Sequence, residues 1–195
     1  MAEDTKDLLI ESTRELLWDR GYTATSPRAI LDAAGVGQGS MYHHFRGKEQ
    51  LAVAAIERNA EQMRAQIRAE LATPGTAIER IGRYLHRERD ILKGCRFGKL
   101  AQDREVTASD ALRTPVNELF AWLRGELAGV IADGQRAGEL PTGLDATRVA
   151  ATIAATLQGG YVLARAAGDA AAFDAAIDGV LDLLTAISAS QGSDA

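Results

Sequence analysis

The chain has 195 residues, 46% of them hydrophobic and 25% charged, with a formal net charge of −5 and a single cysteine, Cys95. This composition suits a folded globular protein and excludes a disordered chain, an internal disulfide framework and a uniformly basic coat for nucleic acid. No apolar run approaches the roughly eighteen residues that span a bilayer, and the start "MAEDTKDLL" lacks the basic and then apolar pattern of a secretory signal, so a cytoplasmic protein without a membrane partner is expected.

With four prolines and no long alternating run of valine, isoleucine or threonine, the pattern predicts an all-α fold of about nine helices. The first, about Asp4 to Arg20, sets Leu9, Leu16 and Leu17 on one face, with Trp18 expected to plug the core, and stops at Gly21. "TSPRAILDAAG" follows, with Ser26 as N-cap, Pro27 at the first helical position and Gly35 as left-handed terminator. A short segment over 37–44 and a long one over 48–72 come next. The long one lines Leu51, Ala55, Ile56, Met63 and Ile67 along one side and ends at "TPG", 73–75, a candidate joint between a small N-terminal part and the rest.

Five further helices are expected. One covers 77–92, and after a break near Gly94 "CRFGKLAQDRE" forms a short one. The next opens with Thr114 as cap and Pro115 in its first turn, aligns Val116, Leu119, Phe120, Leu123, Leu127, Val130 and Ile131, and closes at Gly138 and Pro141. The last two span 145–167, with Val149, Ile153 and Leu157, and about 170–189, with Phe173, Ile177, Val180, Leu184 and Ile187 at heptad spacing. A polar tail occupies 191–195.

"GVGQGSMYHHF", Gly35 to Phe45, invites three readings. A dinucleotide loop needs a third glycine where Ser40 stands and a buried strand before it, whereas "RAILDAA" is helical in pattern. A metal site needs ligands three or four apart on a helix; His43 and His44 are adjacent, so no metal or other cofactor is expected. Two short helices joined by "AAGVG" have the proportions of a helix-turn-helix, with Val36 pinning the turn and Gly37 as N-cap. The second helix then presents Gln38, Gly39, Ser40, Tyr42 and His43. Glutamine can bond an adenine edge, the two hydroxyls can bond phosphate, and glycine permits close approach. Arg28 and Lys48 add charge where phosphates would lie, inside a stretch from Arg20 to Lys48 with four basic residues against Asp32 alone, although each is equally readable as solvated surface.

The stretch "GYTATSPRAILDAAGVGQGSMYHHFRGKEQL", Gly21 to Leu51, resembles the signature of the TetR family of bacterial transcriptional repressors, with "AAGV", "GSMYHHF" and "KEQL" in order and spacing. The resemblance implies a DNA-binding domain over 1–47 and a helical ligand-binding and dimerisation domain over 48–190. It makes Gln38, Gly39, Tyr42 and His43 groove or backbone contacts, puts Lys48 on phosphate, and turns Met41 and Phe45 inward. Three positions depart from it: Gly37 stands where serine is usual, Pro27 where an apolar residue is common, and Gln38 where lysine or arginine is common. The last implies a different operator preference.

In the second half, "GCRFGKLAQD" resembles a G-C-x-x-G-N-L-x-x-E segment found in part of the family, with Lys99 and Asp103 in place of asparagine and glutamate. In that subset signals include aromatic compounds and electrophiles, so Cys95 is a candidate sensor thiol, its thiolate favoured if Arg96 lies close. Gly159 and Gly160 inside a helix imply close packing or a pocket wall. The last two helices are expected to form a homodimer whose twofold axis matches a palindromic double-stranded operator. A pocket for a small organic inducer is expected among Cys95, Phe97, Phe120, Trp122, Tyr161 and Arg165. His43, His44, His86 and Cys95 show no catalytic spacing, so a regulator is expected and not an enzyme.

Overall fold

The computed structural model describes the backbone of residues 2–191 and the side chains of residues 4–189. Among the described residues there are ten helices and no strand: α1 (Ala2–Arg20), α2 (Pro27–Ala34), α3 (Gln38–His44), α4 (Lys48–Leu71), α5 (Ala77–His86), α6 (Arg96–Leu100), α7 (Arg104–Ala108), α8 (Asp110–Arg136), α9 (Ala146–Ala167) and α10 (Ala171–Gln191). The fold class is the one expected. The added helix is α7, which Asp103 caps by accepting from the amides of Glu105 and Val106. Gln191 closes α10, and the rest of the tail expected at 191–195 lies outside the described residues.

The chain forms two compact units that interleave its sequence: residues 1–63 with 95–119, and residues 64–94 with 120–195. In the first, α1, α2 and α3 pack on one another and α6 packs on α1. Leu9, Leu17, Ile30, Met41, Leu51 and Ile56 are fully enclosed there. A buried polar tie joins α1 to α4, where Arg14 Nε donates to Asn59 Oδ1 at 2.7 Å. In the second unit α10 packs on α9 and on α5, around Ile81, Leu127, Ile153 and Ile177.

Three expectations are corrected. Trp18 is half-buried and does not plug a core; the guanidinium of Arg96 covers its ring at 3.8 Å. The helix expected over 77–92 stops at His86 because Arg89 folds back and donates to the carbonyls of Tyr84, Leu85 and Arg87 at 2.6, 2.5 and 3.0 Å. Those groups would otherwise receive the amides of a further turn. The helix expected to open at Thr114 begins at Asp110, since the Ser109 hydroxyl accepts from the Leu112 amide at 3.4 Å; Pro115 lies inside α8. Of the two internal glycines, only Gly160 answers a packing demand: a Cβ there would lie 3.0 Å from the Phe173 ring, whereas at Gly159 it would meet open space.

Candidate nucleic-acid interface

The α2–α3 hairpin is built by its caps. The Ser26 hydroxyl accepts from the Ala29 amide at 3.1 Å, Pro27 takes the first turn, and Gly35 closes α2 at φ +64° and ψ +30°. That is the left-handed region, which glycine enters without steric cost. Gly37 then opens α3 with extended backbone and no side-chain cap, leaving one amide without the partner a serine would supply. The missing bond is offset by burial: Met41 is fully enclosed and Phe45 nearly so, fixing α3 from its inner face. At the start of α4 the Gln50 side chain accepts from the Arg46 amide at 2.7 Å, a cap signalled in the sequence by glutamine at the third helical position.

The outer face carries the expected residues. Gln38, Gly39, Tyr42 and His43 are exposed and Ser40 is half-buried. Pro27, Arg28, Gly37, Gln38 and Tyr42 border an open groove of about 520 Å³ between α2 and α3. The flanking cations are already engaged. Arg28 Nε sits 3.0 and 3.1 Å from the two oxygens of Asp32, and Lys48 Nζ lies 3.9 Å from the centroid of the Tyr22 ring. Tyr22 itself is held above its ordinary pKa by burial, aided by the carboxylates of Glu49, Glu105 and Asp103. His43 and His44 meet edge to face at 4.9 Å, and among the described residues no group of three or more His, Cys, Asp or Glu could hold a metal ion.

An attachment unseen in the sequence joins α6 and α7 to the end of α1 and to the turn before α2. Arg96 donates to Glu15 at 2.8 Å and to the Arg14 carbonyl at 3.3 Å; Lys99 Nζ donates to the Trp18 carbonyl at 2.6 Å. A cation at a helix C-terminus is favoured by the helix dipole. Asp103 accepts from the Thr23 amide at 2.9 Å and from its hydroxyl at 2.7 Å. Burial would raise the Asp103 carboxyl, but the bonds from Thr23, Glu105 and Val106 outweigh it and hold the group below its ordinary pKa. Lys99 and Asp103, the two departures from the resembled segment, therefore hold the end of α1 and the turn before α2.

Comparison with known proteins fits this geometry. The profile of "Bacterial regulatory proteins, tetR family" matches residues 9–55, and that of "Tetracyclin repressor-like, C-terminal domain" matches residues 75–180. The chain belongs to the TetR family.

Among relatives of this TetR-family chain, the fatty acid metabolism regulator protein of Bacillus subtilis is 24% identical over 138 residues, 70% of this chain and 71% of that one. The transcriptional repressor NemR of Escherichia coli is 39% identical over 56 residues, 29% of this chain and 28% of NemR. Its crystal structure in reduced form has the same fold, with a TM-score of 0.82 at 24% identity over 90% of this chain and 95% of that one. FadR from Bacillus subtilis, solved in complex with stearoyl-CoA, also shares the fold, with a TM-score of 0.69 at 23% identity over 92% and 97% of the two chains.

The residues expected to line a pocket are divided between the two units. Cys95 is half-buried at the head of α6, and the Arg96 guanidinium expected beside its thiol is committed to Glu15 and Trp18. Phe97 is fully enclosed in the core of the same unit. In the other unit Phe120 and Trp122 are half-buried, Arg165 is exposed with its Cδ close over Gly94, and Tyr161 is buried with its ring 4.9 Å from Phe173. Near Tyr161 the structure adds a residue not foreseen, Arg89, whose guanidinium lies 5.3 Å from the Tyr84 ring and 5.9 Å from Phe173; Glu70 lies 3.8 Å from Arg87. Burial pushes the pKa of Arg89 down; burial also pushes that of Glu70 up, against the opposing charges of Arg87 and Arg89.

Proposed function

We propose that this chain is a cytoplasmic transcriptional repressor, not an enzyme, that binds a palindromic operator as a homodimer and is released by a small organic ligand. In this reading residues 1–47 contact DNA and residues 48–190 hold the ligand and the dimer contact. The observation that carries it is the outer face of α3, where Gln38, Gly39, Tyr42 and His43 project together while Met41 and Phe45 anchor the helix behind them. Ser40, Arg28 and Lys48 complete the surface, the last two reaching phosphate by exchanging their present partners for it.

The exposed apolar residues of α9 and α10 support the dimer: Val162 at 54%, Leu163 at 55% and Leu183 at 65% exposure stand on two helices of one unit, with open space over Gly159 and Gly179. Large side chains left in water on paired helices are what a second copy would cover. The stearoyl-CoA complex of FadR supports a small-molecule signal, here bound near Phe120, Trp122, Tyr161 and Arg165.

The test is operator binding. Duplexes recovered from bound genomic fragments should bind far more tightly than scrambled duplexes, with affinity falling steeply as salt rises. Equal affinity for both at every salt concentration would overturn the reading. Cys95→Ser should still leave DNA on the inducing signal; loss of release in that variant would make the thiol the switch.

A further inference from the structure

Most guanidinium groups of the unit formed by 64–94 and 120–195 are given acceptors. Arg80 donates to the Leu71 carbonyl at 2.7 Å and lies 3.3 Å from Asp133; Arg83 donates to the carbonyls of Thr73 and Pro74 at 2.9 and 2.8 Å; Arg89 has the end of α5. Arg64 and Arg68 are different. One helical turn apart on α4, they both stand over the ring of Trp122, at 5.9 and 5.2 Å from its centroid, and neither has a carboxylate at ion-pair distance among the described residues. The Nε of Arg64 and the indole Nε1 of Trp122 are both shut off from solvent without a hydrogen-bond partner.

Two like charges four residues apart on a helix repel, and a buried donor left unbonded costs free energy. The indole face offsets part of this by attracting both cations, but it accepts nothing from its own N–H. What the arrangement lacks is a negatively charged acceptor.

We propose that Arg64, Arg68 and Trp122 anchor the anionic head of an organic ligand, a carboxylate or a phosphate carried on an apolar body. The fork of each guanidinium matches either head, and the indole contributes a third donor together with a flat apolar wall that favours a hydrocarbon-borne anion over a bare inorganic one. The proposal rests on the reading of the chain as a small-molecule-responsive regulator and assigns the chemical class of its signal.

The experiment uses the full chain with Trp18→Phe, so that emission reports Trp122. Octanoate, octyl phosphate and octanamide are titrated separately. The two anions should shift the emission saturably and octanamide should bind at least about tenfold more weakly, the factor that corresponds to one charge-assisted bond. The ratio of the two anions identifies the head. Arg68→Gln, at an exposed position that the fold tolerates, should weaken the better anion about tenfold, and Arg64→Lys should retain part of the binding. Octanamide binding within threefold of octanoate, or no saturable response to either anion at millimolar concentration, would overturn the proposal. Operator release recorded in parallel separates the two readings: a neutral compound that frees DNA while both anions are silent ends the anionic site and leaves the regulator standing. A protein that never prefers its operator ends the regulator reading whatever the fluorescence shows.

Discussion

The fold leaves two surfaces unfinished in opposite ways. On α3 the exposed residues include the hydrogen-bonding side chains of Gln38, Tyr42 and His43, and the cations Arg28 and Lys48 beside them are held by Asp32 and by the Tyr22 ring. On α9 and α10 the large apolar side chains of Val162, Leu163 and Leu183 are more than half exposed, among charged neighbours such as Arg165 and Asp182. The first surface suits a partner that presents donors, acceptors and phosphate in fixed register; the second suits a partner that presents hydrocarbon. The proposed function assigns DNA to the first surface and a second copy of the chain to the second.

The largest expected effect comes from making the apolar surface repel itself. Leu163→Glu with Leu183→Glu puts charge at two exposed sites, so each subunit should keep its fold while the dimer fails. Light scattering should then report a monomer, and operator affinity should drop by about a hundredfold or more as the two half-sites cease to be linked. An intact dimer in this variant would place the contact elsewhere. On the polar surface, Gln38→Ala should cost about 1–3 kcal/mol of discrimination at a single base pair, near tenfold in affinity, with thermal stability unchanged because the residue is exposed and alanine favours helix. Loss of affinity spread evenly over all sequences would make Gln38 a backbone contact instead.

The contrast also explains what could be read in advance. The α2–α3 hairpin was legible because its determinants are local: Ser26, Pro27 and Gly35 lie within one short helix of one another, and Met41 and Phe45 recur at helical spacing. The differences arose where a residue outside the expected segment competes for a local group. Arg89 returns to take the carbonyls that would have continued α5, Ser109 caps α8 before Thr114 can, and Arg96 covers Trp18 from far along the chain. Periodicity carries no information about such contacts. The attachment of α6 and α7 to α1 was hidden for the same reason, although its residues, Lys99 and Asp103, stood out as departures from a resembled pattern.

That attachment has a pH signature. A carboxyl whose folded pKa lies below its unfolded value, about 3.9 for aspartate, stabilises the fold fully above the unfolded value and loses the contribution as pH falls through the folded one. Asp103→Asn should therefore lower stability by about 1 kcal/mol near neutral pH, the scale of a lost charge-assisted bond on a partly solvated group, and the difference from the parent should shrink on acidification below about pH 4. Melting curves recorded from pH 3 to about pH 7 decide this; a difference independent of pH would show that Asp103 acts through its shape alone.

The smallest expected effect tests whether the reading surface restrains its own charge. Arg28 is exposed and its guanidinium is paired with Asp32 one turn along α2, so a phosphate must compete with that carboxylate for the same donors. An exposed pair of this kind is worth only about 0.3–0.5 kcal/mol, which sets the scale of the competition. Asp32→Ala should leave the fold in place and raise affinity about twofold per subunit for operator and scrambled DNA alike, since a freed arginine strengthens the sequence-independent contact and leaves discrimination unchanged. The salt dependence should steepen by nearly one counterion. If Asp32→Ala instead weakens operator binding, the ion pair is what holds Arg28 in its contacting position, and the carboxylate belongs to the interface as a positioning group.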